Sequence, residues 1–364
     1  MKVAGLDTPT LVVDLDRLGA NIADMASRAT SAGVRLRPHT KTHKIPEIAR
    51  LQVAAGAAGI TCAKVGEAEV MVDAGLDDVL IAYPVLGAQK LARLRALRER
   101  ARILVSLDSV EVAEGLGALG VATKSPVEVY VEVDTGQHRL GTAPGAPTVD
   151  LARQVAGIRG LTLVGLLTHA GHANSVTNVA HRRVLIEREI DDLLTTQALC
   201  AQIGLELVEI SVGSTPAARL EATSPGVTEM RPGTYVFNDT ATIDHGVATG
   251  DTCALHVLAT VVGRPTPERF VIDAGSKCFS SDGAGTSGWL RVAGRDDLTM
   301  EFTTEEHGVG TIDLARGGRL SIGDRLLVIP RHVCAVVNLF DTVTTTRGGE
   351  VTGELRVAGR GRVR

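Results

Sequence analysis

Two lysines and two histidines crowd one short stretch, Arg37-Pro38-His39-Thr40-Lys41-Thr42-His43-Lys44. Cations packed this tightly repel one another, so a partly desolvated lysine among them gives up its proton more readily. The neutral amine that results is the nucleophile that condenses with an aldehyde to a Schiff base. A solvated basic turn would contain the same residues. Near the other end of the chain stands Pro330-Arg331-His332-Val333-Cys334. Read as a strand, this segment sends positions i and i+2 to one side, so that His332 and Cys334 present an imidazole nitrogen and a thiolate together. That is half of a zinc site. The soft pair favours Zn²⁺ over Mg²⁺, and two protein ligands leave positions open for substrate or water. An isolated His-x-Cys is more commonly a buried cysteine beside a histidine.

Other polar groups gather at Asp134-Thr135-Gly136-Gln137-His138-Arg139-Leu140-Gly141, at Thr168-His169-Ala170-Gly171-His172 and at Gly213-Ser214-Thr215-Pro216. Small residues with open backbone N–H groups and hydroxyls suit a phosphate, although a plain polar turn has the same composition. Asp273-Ala274-Gly275-Ser276-Lys277 and Glu305-Glu306-His307-Gly308 read better as structural turns, with Asp273 bonding backbone N–H groups. His181, His245 and His256 read as packing or surface residues.

These groups need elements to hold them. Short β-branched runs alternate with Ala- and Leu-rich helical stretches from about Leu18 to Gly233, the pattern of repeated βα units on a parallel sheet. The strands are expected at Val34–Arg37, Gly59–Cys62, Val79–Ala82, Ile103–Ser106, Val127–Val133, Leu163–Leu167 and Glu209–Val212. Seven or eight units in ~220 residues suit a closed barrel, in which the polar groups above stand at the C-terminal strand ends where barrel active sites form. After Tyr235 the helical periodicity gives way to β runs such as Ala254–Val262, Arg269–Ile272 and Arg325–Ile329, broken by Gly, Pro and Asp. The expected division is a barrel over 18–240 and a β domain over 1–17 and 241–364, with Thr10–Asp14 pairing into the C-terminal sheet. The Gly-rich stretch Asp282–Gly288 is expected to be a mobile surface loop.

Composition narrows the function. One Trp, three Tyr and five Phe in 364 residues leave few stacking platforms for single-stranded nucleic acid. The net charge of −4 and the absence of a basic tail argue against phosphate-backbone binding, and the dense run Lys90–Arg100 has the spacing of a solvated helix face. No run of about eighteen apolar residues and no apolar leader is present, so the protein is expected to be soluble, with no membrane partner. Five cysteines, odd in number and without a Cys-x-x-Cys, fit a reducing cytoplasm better than a disulfide framework.

Together the motifs resemble the pyridoxal-phosphate enzymes of alanine-racemase-like fold (fold type III), specifically the metal-dependent D-threonine aldolase and D-serine dehydratase family. The resemblance runs from Leu6-Asp7-Thr8-Pro9-Thr10-Leu11-Val12-Val13-Asp14 through Arg37–Lys44 to Pro330–Cys334, nearly the whole chain. It implies an α/β fold, a (β/α)8 TIM barrel with a mainly β C-terminal domain that takes in the N-terminal strand. It also implies that Lys41 carries pyridoxal 5'-phosphate and Lys44 does not. By the same resemblance Arg139 lies near the cofactor's phenolic oxygen, Gly213, Ser214 and Thr215 cradle its phosphate, and Arg231 and Tyr235 wall it. His169 resembles an active-site histidine, and His332 and Cys334 match the metal ligands, with Asn338 and Asp341 extending the match. Better-known D-threonine aldolases often place Asp where this chain has Cys334, whereas dehydratase-like members have His-x-Cys. The implied activity is therefore a lyase on a small β-hydroxy-D-amino acid, using a divalent metal (Zn before Mn or Mg). Elimination of water to a 2-keto acid and ammonia comes first, and retro-aldol cleavage to glycine and an aldehyde is the alternative. An amino-acid racemase and a non-catalytic cofactor carrier are remoter readings. The group's active sites near subunit interfaces imply a homodimer.

Overall fold

The alternating runs become eight parallel strands, numbered along the chain: β2 (Arg35–Leu36), β3 (Ile60–Cys62), β4 (Asp78–Ile81), β5 (Arg102–Leu107), β6 (Val127–Glu132), β7 (Leu161–Leu167), β8 (Glu209–Val212) and β9 (Glu229–Met230). They pair in the order β2-β9-β8-β7-β6-β5-β4-β3, and a parallel bridge between His39 and Thr61 joins the two ends. Alternation along the strands puts Leu80, Leu104, Tyr130 and Leu167 on one face of the sheet, where they pack as one cluster, and the fully buried Val79, Ile81, Val105 and Val129 on the other. β9 has only two residues, too few to register as a β-branched run. The computed structural model describes residues 2–284 and 288–364. They form two units, one of Asp24–Lys41, Pro46–Gly233 and Arg362–Arg364, which holds the barrel, and one of Met1–Ala23, Thr42–Ile45 and Thr234–Gly361.

Helices alternate with the strands of the barrel unit. The basic run lies on the helix Ala88–Arg98, which buries Leu94 and Leu97 and pairs Arg93 with Glu69. The helix Val110–Thr123 approaches the turn before β7 so closely that a Cβ on Gly120 would sit 1.9 Å from the carbonyl oxygen of Gly160. Only glycine permits that contact. At the N-terminal mouth of the barrel a cavity of about 350 Å³ is lined by Arg35, Arg102, Asp78, Glu128 and Glu209. These charges pair with one another, Arg102 with both Asp78 and Glu128, so this mouth is closed by ion pairs at the end of a barrel that usually serves stability.

In the second unit, β1 (Thr10–Asp14) runs antiparallel to β10 (Leu255–Thr266) and parallel to β16 (Thr342–Arg347), so the N-terminal strand does join the C-terminal sheet. The sheet also contains β11 (Arg269–Ile272), β12 (Arg291–Val292), β13 (Leu298–Thr303), β14 (Gly308–Ile312), β15 (Arg325–Ile329) and β17 (Glu350–Arg356). The two polar clusters of this unit meet each other: Ser276 N and Lys277 N donate to Thr304 O and Glu305 O, and Lys277 pairs with Glu306. Asp273 accepts from Thr260 N, thirteen positions away on β10, and from Thr8 Oγ1, rather than from the local turn N–H groups expected of it. Of the Gly-rich stretch Asp282–Gly288, residues 285–287 lie outside the described residues.

One expectation is corrected here. His332 and Cys334 are not on a strand: β15 ends at Ile329, His332 is the extended residue that precedes a short helix, and Cys334 lies in that helix, Val333–Val337. Pro330 has no N–H with which to continue a ladder. Its carbonyl instead accepts from Thr240 N, and Val333 N donates to the buried Asp239.

Candidate active site

Four groups of the barrel unit converge at the C-terminal strand ends. Lys41 stands in the single turn Thr40–Thr42 that follows β2, His39 just before it, His169 after β7 and Arg231 after β9. The local bonds fix both histidine tautomers. His39 Nδ1 accepts from Lys41 N at 3.3 Å and so carries no proton, whereas His169 Nδ1 faces the carbonyl of Gly213, which can only accept. His169 therefore keeps its proton on Nδ1 and presents Nε2 as a lone pair.

Burial and the positive charge of Lys41 push His169 down to about 3. The same two causes, with Arg231 and His169 adding, hold His39 well below its ordinary range. Both imidazoles are thus neutral at neutral pH, in a field made positive by Lys41 and Arg231. Arg231 is buried, with Nη1 on Ser211 Oγ and Nη2 on the Thr168 carbonyl. Beside it two buried acids, Glu189 and Glu221, are pushed up by desolvation, and Glu189 raises Glu221 further. Burial works against the charge of Arg231, and Glu229 first, then Glu132 and Glu221, support it.

Gly213, Ser214 and Thr215 form the turn after β8, and all three are buried. A Cβ on Gly213 would lie 2.9 Å from Arg231 N, so glycine is needed for this turn to sit against the start of the next one. Arg139 lies in the turn after β6, about half exposed, with Nη2 3.7 Å from Glu132 Oε1. The neighbouring Asp134 shapes that turn by accepting from Gly136 N and His138 N. Lys44 is engaged elsewhere, its Nζ donating to Asn338 Oδ1 at 2.8 Å in the second unit.

The second unit holds the soft donor pair. Thr42 Oγ1 lies 3.2 Å and Thr234 Oγ1 3.8 Å from Cys334 Sγ, and Tyr235 is buried in the turn that Thr234 opens. His332 Nδ1 lies 3.0 Å from Asp282 Oδ2. Partial desolvation would lower His332, but the hydrogen bond and charge of Cys334, with Asp239 and Asp282, outweigh it and push the imidazole up to about 9. His332 and Cys334 side by side, with Asp239 and Asp282 close to the imidazole, offer the nitrogen and sulfur donors that a divalent cation takes. The donor set therefore fits a soft metal held by two protein ligands. Among the described residues no group of three His, Cys, Asp or Glu side chains could hold a metal.

Sequence reasoning did not assign Asp239 or Asp282. Asp239 had a readable signal, the Asp-x-x-Thr capping box with Thr242 that starts the helix Thr240–Asp244. Asp282 had none, because its partner lies fifty positions away.

The chain matches the family model described as alanine racemase, N-terminal domain, over residues 13–241, and the putative serine dehydratase domain over 254–346. It is 35% identical to D-threo-3-hydroxyaspartate dehydratase of Delftia sp. (strain HT23), covering 91% of each chain. It is 33% identical to D-threonine aldolase of Arthrobacter sp, over 99% of this chain and 94% of that one. The crystal structure of D-threonine aldolase from Filomicrobium marinum superposes with a TM-score of 0.93 at 35% identity, covering 100% of this chain and 98% of the other. A metal-free, cysteine-to-alanine form of D-threo-3-hydroxyaspartate dehydratase superposes with a TM-score of 0.87 at 32% identity, over 98% and 99%.

Proposed function

The chain belongs to the D-threonine aldolase and D-serine dehydratase family, an alanine racemase N-terminal domain followed by a serine dehydratase domain, and from that premise we propose a lyase of β-hydroxy-D-amino acids that uses pyridoxal phosphate and a divalent metal, zinc first. One observation carries the reading: the hydrogen-bonded His332 and Cys334 pair, a soft donor set for which simple proton exchange at Cα, or mere cofactor carriage, has no use.

When bound, pyridoxal phosphate supplies an electron sink for negative charge at Cα, and the metal supplies a Lewis acid for the β-hydroxyl. Lys41 would hold the cofactor, with Arg231, Arg139 and Tyr235 around its ring. Gly213, Ser214 and Thr215 would offer backbone N–H groups and hydroxyls to its phosphate. His332 and Cys334 would hold the metal. The chain's own proton carriers are the Lys41 amine, assigned to the Cα proton, and His169, whose Nε2 presents an open lone pair while Nδ1 faces the Gly213 carbonyl. Lys41 is the base of the dehydratase version, in which water leaves and a 2-keto acid and ammonia follow. His169 becomes the base of the aldolase version, taking the β-hydroxyl proton as the Cα–Cβ bond breaks.

Cys334 and the likeness to a dehydratase support elimination first, and the likeness to an aldolase of nearly equal identity keeps retro-aldol cleavage as the second reading. Incubating the protein with D-serine, D-threonine and D-threo-3-hydroxyaspartate plus Zn²⁺ or Mn²⁺ separates them. A keto acid with ammonia is the expected product. Glycine with an aldehyde would replace the dehydratase reading by the aldolase one, and racemised substrate would sink both. A homodimer belongs to the same proposal, and sedimentation at the mass of one chain would overturn it.

A further inference from the structure

His332 has two ring nitrogens, and its Nδ1 faces Asp282 Oδ2 at 3.0 Å. A carboxylate in that position does two things. It keeps the proton on Nδ1, which leaves the lone pair on Nε2, and it fixes the plane of a ring whose side chain is otherwise nearly half exposed. The rest of the local frame is already rigid: Asp239 accepts from Val333 N and Thr242 N, and Thr240 N and Ala241 N donate to Pro330 O and Arg331 O. The backbone carrying His332 and Cys334 is thus pinned on one side, while the imidazole is oriented by Asp282 at Nδ1 and by its hydrogen bond with Cys334.

Resting on the reading that His332 and Cys334 bind a metal, we propose that Asp282 is the outer-sphere positioning residue of that site, holding His332 by Nδ1 so that Nε2 is the metal-binding nitrogen. Asp282 is not a third ligand, since no three donor side chains among the described residues could hold one metal together. Outer-sphere carboxylates of this kind typically change metal affinity by about 10–100-fold when removed.

The test measures Zn²⁺ affinity by competition with a chromophoric chelator on the full chain. The proteins are the wild type, Asp282→Ala, Asp282→Asn, His332→Ala and Cys334→Ala, each checked for folding by circular dichroism. Co²⁺ replaces Zn²⁺ in a parallel set for its visible spectrum. The wild type is expected to bind one ion, and His332→Ala and Cys334→Ala to lose it. Asp282→Ala should bind about 10–100-fold more weakly while its Co²⁺ spectrum stays that of the wild type. Asp282→Asn, which can still accept the Nδ1 proton, should fall between. Wild-type affinity in Asp282→Ala overturns the assignment, as does a Co²⁺ spectrum showing that an inner ligand has been lost. If the wild type binds no zinc, the metal reading itself fails, an outcome distinct from both.

Discussion

At the scale of single residues, the site depends on which of several similar groups does the work. Two lysines three positions apart meet different surroundings. Lys41 sits in the turn after β2, where its charge depresses both His39 and His169. Lys44 adopts a left-handed backbone and donates to Asn338. Nothing in the spacing of the motif distinguishes them, so the choice of Lys41 rests on resemblance. Protein purified with pyridoxal phosphate should keep its visible absorbance through dialysis in the wild type and in Lys44→Ala, and lose it in Lys41→Ala. Cofactor absorbance surviving Lys41→Ala, or lost only in Lys44→Ala, would overturn the assignment. Lys44→Ala should instead lower stability, by about 1.5–3 kcal/mol for one lost hydrogen bond from a charged, buried group.

At the scale of elements, the barrel's shortest strands are held by buried polar bonds. β2 and β9 have two residues each. Arg37, just past β2, donates through Nε to Glu229 Oε2 at 2.8 Å and also pairs with Asp78. Glu229 Oε1 accepts from Ser211 Oγ of β8, and the same hydroxyl is reached by Arg231. Three strands and the loop bearing Arg231 are therefore tied through one carboxylate with no solvent exposure. Removing it leaves Arg37 buried with a single partner and Ser211 without its acceptor. We expect Glu229→Ala to cost about 3–5 kcal/mol in denaturant unfolding, the cost of breaking a buried ion pair, and Glu229→Gln to cost less because an acceptor oxygen remains. A Glu229→Ala midpoint within about 0.5 kcal/mol of wild type would show that the network is ornamental to folding.

At the scale of the whole molecule, the barrel was legible because each βα unit repeats a local pattern, and the boundaries of Glu209–Val212, Arg269–Ile272 and Arg325–Ile329 were read to the residue. β9 was not read, since pairing rather than propensity makes two residues a strand. His332 and Cys334 were found as a pair for the wrong local reason: a helix start bonded to Asp239 brings them together, not a strand. Partners distant in sequence, such as Asp282 and Glu229, carried no local signal at all. The same distance hides the surroundings of His256, which the sequence left as a packing residue. It lies on β10 opposite Val12 of β1, is buried, and has its Nε2 without a partner among the described residues. Burial first, and then the charge of Arg17 against a smaller opposing effect of Asp14, push it down to about 4. The sign of its pH dependence follows. Between about pH 6.5 and 4 the unfolded chain binds a proton at this residue that the folded chain does not, so stability falls as pH falls, by up to about 1.4 kcal/mol per pH unit for one such group. Urea unfolding at several pH values from 7.5 to 4.5 should show this fall in the wild type. His256→Gln should reduce the slope by about one proton's worth while leaving the contributions of the other buried histidines in place. Identical slopes in the two proteins would mean that His256 titrates as freely folded as unfolded, and that its burial costs the imidazolium nothing.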